Sequence, residues 1–598
     1  MFVKIERGIY MNIQEKDIVN ALANNTFSSQ REVAEYTGYS LGTVNKSINA
    51  LMEKGYVNEY FKVTDKTRDM FSKKRVRNAI ILAAGYGMRM VPINMETPKG
   101  LLEVNGETLI ERTIKQLRVF GIDDITVVVG FMKEQYEFLI DEYNVKLVVN
   151  VEYAIKNNLH SLAMVAEEIS NTYIIPCDIW CSYNPYKESE LYSWYMVTDE
   201  LSKESDVRIN RKQELVKVSD KKTFGNKMIG ICYVDETDAL ALAEKLKKLD
   251  QLGEYEDSFW ETALYEGEKL LVSANCASKD NVVEINTYEQ LREWDENSSN
   301  LKIDAINVIC KSLNVDVSEV TNIRVMKKGM TNRSFIFECN GKNYIMRIPG
   351  EGTDQLINRE EEAMVYEAIR GKGICDNIVY INPKDGYKIT EFMDNTRVCD
   401  AFDEEDVKRC MKKLRDFHNE KIVVKHRFDI FGQIEFYESL WKGVPSVYRD
   451  YFKTKKSCME LKTFIETQDI EECLTHIDAV PDNFLFDKNS KDGDIKLIDW
   501  EYAGMQDPHV DLAMFSIYSF YDKDQVDRLI DIYFEGSCDE RTRAKIYCYV
   551  SICGLLWSNW CEYKRNLGVE FGEYSIKQYR YAKEFYKYAM EAIAKIGD

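Results

Sequence analysis

The stretch Ala79–Asn105, AIILAAGYGMRMVPINMETPKGLLEVN, decides how the rest of the chain is read. It opens with a short apolar run, Ile80-Ile81-Leu82, of the kind that forms a strand buried on both faces. The run breaks into Ala83-Ala84-Gly85-Tyr86-Gly87, where small residues let backbone amides approach an anion closely. Two cations follow, Arg89 and Lys99, the second directly after Pro98. Strand, glycine loop and two fixed cations supply what a triphosphate needs: amide donors to cradle it and charge to neutralise it. Leu82, Ala83, Ala84, Gly85, Gly87, Arg89 and Lys99 are therefore the candidate nucleotide contacts, with Arg89 and Lys99 also the catalytic cations. A purely structural loop has no need of both cations at that spacing.

The LAAGxGxRM…TPK pattern resembles the signature of nucleotidyltransferases that join a nucleoside triphosphate to a phosphorylated small molecule. Beyond it, a helix around Leu109–Phe120 and a strand Ile125–Val129 begin an alternation that predicts a doubly wound α/β sheet from about residue 78 to 300. With Asn157-Asn158-Leu159-His160-Ser161-Leu162 added, the region is similar to bacterial phosphocholine cytidylyltransferases. That resemblance implies that Asn158 and Ser161 line the nucleotide base and ribose. Read from the residues alone, the same segment is a helix N-terminus capped by Asn158.

The strand Tyr173-Ile174-Ile175 runs on through Pro176 and Cys177 to Asp178. A carboxylate at the C-terminal end of a sheet strand, facing the phosphate loop, is where a magnesium ligand belongs. The resemblance makes Asp178 that catalytic ligand and expects a second metal aspartate in a late E-x-D segment. Here the segment reads Glu284-Ile285-Asn286, so an uncharged amide stands where the family has a carboxylate. Trp194 and Trp260 are candidate walls for a trimethylammonium group, against the plain alternative that both are core.

From Ile303 onward the chain resembles the choline/aminoglycoside phosphotransferases. Gly329-Met330-Thr331-Asn332 leads into a predicted hairpin with Phe335, Phe337 and Cys339 inward and Asn340-Gly341 at the turn. Its return strand carries Arg347, where most kinases have the lysine that grips ATP phosphates; arginine there is similar to choline kinases, and Glu362 is its implied partner. His476-Ile477-Asp478-Ala479-Val480-Pro481-Asp482-Asn483 has the D-x4-N spacing of a kinase catalytic loop. Asp478 would accept the substrate hydroxyl proton, Asn483 and Asp499 would bind magnesium, and Asp511 would brace the loop. Trp557 and Trp560 share a helix face. Their W-x-x-W resembles the choline-binding helix of choline kinases, which with Tyr502 implies an aromatic box for a quaternary ammonium.

Residues 15 to 65 read as a separate small unit. Ser29 to Glu32 is a capping-box pattern, Gly38 ends the helix, and Ser40 caps a second helix with Val44, Ile48, Leu51 and Met52 at helical spacing. Gly55-Tyr56-Val57 would then extend. This resembles the winged-helix regulators of bacteria, with Thr43, Asn45, Lys46 and Asn49 turned to solvent for DNA. Residues 1–77 hold 13 Lys and Arg against 9 Asp and Glu, hence about +4, much of it in a linker KTRDMFSKKRVR.

The whole chain of 598 residues carries net charge −21, which excludes a general nucleic-acid-binding protein. Its 15 cysteines form no CxxC pair, and no run approaches the ~18 apolar residues of a membrane span, so a cytoplasmic, zinc-free protein is expected. The fold class expected is multidomain α/β and α+β: winged helix 1–77, doubly wound nucleotidyltransferase domain 78–300, two-lobed kinase-like domain 301–598. Both resemblances imply one metabolite. ATP would phosphorylate choline, and CMP from CTP would pass to phosphocholine, with Mg2+ as cofactor, giving CDP-choline and pyrophosphate. Ethanolamine or another amino alcohol, a nucleotide sugar, or a transcription regulator that senses choline or CTP are the rival readings. An oligomer is compatible with the sequence, and no membrane partner is expected.

Overall fold

A computed structural model describes residues 11–203, 205, 207–210, 213–218, 224–265, 272–326, 332–350, 356–488 and 494–597. The chain separates into two compact units, Met1–Ile303 and Asp304–Asp598. Among the described residues no helix is long and apolar enough to cross a membrane.

The first unit begins with three helices, α1 (Ile13–Asn24), α2 (Gln30–Thr37) and α3 (Leu41–Glu53). The sequence reading found only the last two. Helix α1 announces itself by a reciprocal cap: Asn12 accepts from the Glu15 amide at 2.9 Å and Glu15 accepts from the Asn12 amide at 3.1 Å. The capping box expected at Ser29 is only half formed, because Glu32 turns instead to the Ser28 amide at 2.8 Å. Gly38 ends α2 at φ +71°, a conformation a side chain would resist. The expected wing is reduced to a single bridge between Val57 and Val63. Part of the expected linker is a fourth helix, α4 (Asp65–Lys73).

This N-terminal bundle is not separate in its packing. Ile18, Val33, Val44, Ile48 and Leu51 close around Leu191 of the following domain. Asp17 accepts hydrogen bonds from both Tyr39 and Tyr192, and Lys74 pairs with Asp235 at 2.7 Å. The α3 face with Asn45, Lys46 and Asn49 stays exposed, while Thr43 is half-buried.

The α/β domain is built on β1 (Asn78–Ala83), β2 (Ile125–Val129), β3 (Lys146–Val149), β4 (Thr172–Pro176), β5 (Trp194–Ser202), β6 (Gly225–Val234) and β7 (Ser273–Ala277). They lie in the order β7-β5-β6-β4-β1-β2-β3. β1 runs parallel to β2 and β4, whereas β6 is antiparallel to β4 and β5. Every residue of β1 is buried because both faces are covered. Ile81, Val127 and Ile175 pack on one side with Ile110 and Leu117; Ile80, Val128 and Ile174 pack on the other with Leu159 and Leu246. Trp194 belongs to the first core and Trp260 to the second, at 4% and 0% exposure. Alternation across the sheet therefore forbids the two from walling one cage.

The second unit opens with a five-stranded antiparallel sheet: Thr321–Val325, Asn332–Cys339, Lys342–Pro349, Lys388–Glu391 and Ile378–Ile381 in spatial order. Gly329, Met330 and Thr331 lie outside the described residues. Asn340 and Gly341 turn the hairpin with φ +52° and +71°, as a two-residue loop of this twist requires, and Phe335, Phe337 and Cys339 face inward. The remainder is mostly helical, with two small sheets, one of Thr396–Val398, Phe484–Asp487 and Ile495–Leu497 and one of Cys473–Thr475 and Gly504–Gln506. Glu540–Asn566 and Glu573–Gly597 are its longest helices, the first buried from Ala544 to Lys564.

Candidate active sites

In the first unit β1 delivers the chain to the loop at Gly85. Leu82 and Ala83 still lie inside β1 with their side chains in the two cores, so only their backbone can face a nucleotide. Gly85 has open space where a Cβ would stand. Gly87 adopts φ +60°, and a Cβ there would come within 2.9 Å of Lys99 Cγ. The loop needs glycine so that Lys99 can cross beneath it. Lys99 Nζ then reaches Asp178 Oδ2 at 2.8 Å and Asn286 Oδ1 at 2.6 Å, and Arg89 Nη2 donates to the same Asn286 oxygen at 3.0 Å. The Ile285 amide donates to the Asp178 carbonyl at 2.9 Å, locking the two segments side by side. Glu284 completes the group. Burial and then the Asp178 charge push its carboxyl up, while a hydrogen bond with Asn286 and the charges of Lys99 and Arg89 oppose them.

On the nucleoside side the arrangement departs from expectation. The cap of the helix Asn158–Ala163 is Asn157, not Asn158. Asn158 instead accepts from the Trp260 amide at 2.8 Å, and buried Ser161 accepts from Asn150 at 3.0 Å. A residue the sequence reading passed over is Glu261. It is half-buried and accepts from the Tyr195 hydroxyl at 2.8 Å, while its second oxygen is itself buried and has no partner. Burial pushes its carboxyl up to about 7. An acidic residue next to a buried tryptophan was the available signal.

In the second unit Arg347 and Glu362 face each other through two hydrogen bonds, one of them 2.9 Å, and Arg359 adds a third at 2.9 Å. Burial would raise the Glu362 carboxyl, but Arg347 and then Lys388 outweigh it and hold it at about 2. The catalytic loop follows the strand Cys473–Thr475. Asp511 accepts from the Ile477 amide at 2.7 Å, the His476 amide at 3.1 Å and His418 at 3.0 Å. Asn483 donates to the Asp478 carbonyl at 2.8 Å and its carboxylate at 3.2 Å, and the Ile498 amide bonds the Asn483 carbonyl at 3.0 Å. This last bond fixes Asp499 beside the loop. Ile477 and Asp499 both sit at positive φ, +69° and +68°. Such strain persists only where the surroundings over-determine it. Burial, then Asp499 and Glu501, push the Asp478 carboxyl up to about 8.

Tyr502 and Trp557 meet edge-on at 5.8 Å and 90°, two walls of a corner. Trp560 lies 5.5 Å behind Trp557 at 2% exposure. The Tyr502 hydroxyl is buried without a partner. Tyr437, which the sequence reading did not single out, is fully buried close enough to feel Asp478 after burial has raised it.

Comparison with known proteins gives these sites a family. A model of the MobA-like NTP transferase domain matches residues 79–182, one of choline/ethanolamine kinase residues 323–579, and one of winged helix-turn-helix DNA-binding domains residues 11–58. Choline-phosphate cytidylyltransferase of Streptococcus pneumoniae is 32% identical over 36% of this chain and 96% of its own length. The chain belongs to the choline-phosphate cytidylyltransferase family. Protein LicA of Haemophilus influenzae is 26% identical over 42% of the chain and 96% of its own length. The crystal structure of choline kinase LicA from Streptococcus pneumoniae aligns at 26% identity and TM-score 0.42 over 47% of this chain and 98% of that one. The first unit thus carries the cytidylyltransferase and the second the kinase.

Among the described residues no three His, Cys, Asp or Glu side chains gather as a self-sufficient metal site. A magnesium ion shared with nucleotide phosphates needs only one or two carboxylates. The donor sets fit one. Asp178 with Glu284, and Asp478 with Asp499, crowd negative charge that raises a neighbouring carboxyl and that a hard cation would relieve. Asn286 brings an oxygen without charge, already shared by Lys99 and Arg89. Asn286→Asp is therefore expected to lower the magnesium concentration for half-maximal cytidylyl transfer, read from a metal titration. An unchanged titration would reduce Asn286 to a holder of the two cations.

Proposed function

We propose that this chain makes CDP-choline in two steps, phosphorylating choline with ATP in the second unit and transferring CMP from CTP to phosphocholine in the first. The observation that carries the reading is the presence, in one chain, of an Asp478–Asn483–Asp499 cluster beside aromatic walls and of the Lys99–Asp178–Asn286 cluster below a glycine loop. In the kinase, Asp478 takes the hydroxyl proton of choline while Arg347, held by Glu362, faces the ATP phosphates. Asn483 and Asp499 would hold Mg2+, and Asp178 with Glu284 would do so in the transferase; bound there, the ion neutralises phosphate charge. In the transferase a phosphate oxygen of phosphocholine attacks the α-phosphorus of CTP in line and pyrophosphate leaves, with Lys99 and Arg89 offsetting the growing charge. Glu261, with its unpartnered oxygen, is the acid for the cationic end of phosphocholine. The reading places the chain in the cytoplasm, where both nucleotides are available. Incubation with choline, ATP, CTP and magnesium, followed by mass, should yield CDP-choline. Exclusive formation of CDP-ethanolamine from mixed substrates would sink the choline assignment.

Choline rather than ethanolamine rests on Trp557 and Tyr502. A quaternary ammonium has no N–H to donate, whereas an aromatic face attracts charge without demanding hydrogen-bond geometry. Each ring contributes about 0.5–2 kcal/mol when desolvated. Trp557→Ala should raise the apparent choline constant about three- to thirtyfold and leave that for ATP unchanged. Trp560→Ala should act through loss of support to Trp557. The ratio of choline to ethanolamine turnover is the quantity to follow; a constant ratio with lower stability would make the pair core.

The exposed Asn45, Lys46 and Asn49 favour an added role in binding DNA, since docking through Asp17 leaves that face open. Mobility shift with the gene's own upstream DNA should weaken steeply with salt. No shift at low salt would leave the bundle a scaffold.

A further inference from the structure

Beside the catalytic loop of the second unit opens a cavity of about 760 Å3, whose lining includes Asp400, Phe402, Asp482, Tyr518 and Phe520. Its chemistry is acidic and aromatic together. Phe402 is 72% exposed and Phe520 37%, so both rings are presented at the cavity wall. Phe520 is held there at φ +57°, a left-handed conformation rare for an aromatic residue. Over its face, 4.1 Å from the ring centre, lies the ammonium of Lys577. The Arg397 guanidinium at the cavity wall is occupied by Asp406 through two hydrogen bonds, which leaves the field of Asp400 and Asp482 largely unopposed by it.

From this cavity a line of ring contacts runs to the inner corner. Phe520 and Tyr518 each meet Tyr574, at 6.0 and 6.2 Å. Tyr574 meets Phe571 at 6.5 Å, Phe571 meets Trp560 at 5.2 Å, Trp560 meets Trp557 at 5.5 Å, and Trp557 meets Tyr502 at 5.8 Å. Both Tyr518 and Tyr574 feel Asp478, in addition to the burial that chiefly raises their phenols. The outer cavity and the proton acceptor are therefore neighbours.

We propose that this cavity is an outer binding station for a quaternary ammonium, which collects the organic cation before it enters the corner of Tyr502 and Trp557. The inference rests on the choline-kinase reading above and adds a second site to it. Carboxylates at a cleft mouth draw a cation in by long-range attraction. Exposed ring faces then hold a trimethylammonium group that can make no hydrogen bond. Lys577 on Phe520 marks such a face with the protein's own ammonium and competes for it.

The test is steady-state kinetics of the full chain with choline and with its uncharged isostere 3,3-dimethyl-1-butanol, assayed as substrate or competitor. Phe402→Leu with Phe520→Leu should lower kcat/KM for choline about three- to tenfold at unchanged kcat, with the isostere unaffected. Asp400→Asn should flatten the decline of kcat/KM with ionic strength. Lys577→Met should act in the opposite sense and raise kcat/KM for choline, a sign that loss of structure cannot produce. Equal losses for choline and the isostere, or indifferent variants in an enzyme that phosphorylates choline, would overturn the station alone. A wild-type enzyme inert toward choline would overturn the proposed function itself.

Discussion

Asp478→Asn is expected to abolish phosphocholine formation while CDP-choline synthesis from supplied phosphocholine survives. A positioned general base contributes about 10²- to 10⁴-fold to rate, and the amide can accept no proton. The same change should not harm the fold. The Asp478 carboxyl is raised from 3.8 to about 8 by burial, Asp499 and Glu501. A carboxyl that binds its proton more tightly folded than unfolded loses stability as pH climbs through that window, so at pH 7 the native Asp478 is a cost. The amide would remove that cost and keep the shape, and the variant should melt no lower than the wild type at pH 7, by calorimetry. Activity limited by the free enzyme should for the same reason rise with pH up to about 8. Loss of both activities in a folded Asp478→Asn protein would break the two-site reading.

How much of this was legible beforehand follows from where the chemistry sits along the chain. The phosphate loop with Arg89 and Lys99, and the run from His476 to Asp499, are local in sequence, and each position is restricted by one task. Their strands and turns could be read directly. Arg347 and Glu362 stand fifteen positions apart, and the resemblance to choline kinases joined them, since charge alone does not choose among Glu360, Glu361 and Glu362. Glu261 was missed because its relation to Tyr195 spans 66 residues and depends on the order of strands in the sheet. The same ignorance of strand order let Trp194 and Trp260 be offered as one cage, although they lie on opposite faces. Helix α1 was overlooked despite the Asn12–Glu15 cap, which is a short-range signal. The N-terminal bundle looked independent because Leu191, which completes its core, lies far along the chain. Local motifs thus specify chemistry, whereas which buried side chains meet is a property of topology.

The complementary experiment is Lys99→Met, which should lower cytidylyl transfer about 10²- to 10³-fold and leave choline phosphorylation intact. Lys99 is the hub of the transferase site. Its ammonium touches Asp178 and Asn286 at once, and Gly87 is shaped to let it pass. In a half-buried site such a charge acts at short range with little water to screen it, which is where fixed cations stabilise a developing phosphate charge most. Removal has a second consequence. Glu284 is already raised by burial and by Asp178, with Lys99 among the charges that oppose them, so without the ammonium its carboxyl rises further. A carboxyl that holds its proton more tightly offers less charge to a hard cation. The variant should therefore lose rate in two ways: a fall in turnover at saturating magnesium and a rise in the magnesium required. Lys99→Arg separates them. It returns the charge near Glu284 but, with a planar fork in place of a point charge, cannot reproduce both contacts under the Gly87 loop. The arginine variant should recover the magnesium requirement more than the turnover. If Lys99→Met left cytidylyl transfer within about threefold of wild type, the cluster below the glycine loop would be structural and the transfer site would have to lie elsewhere.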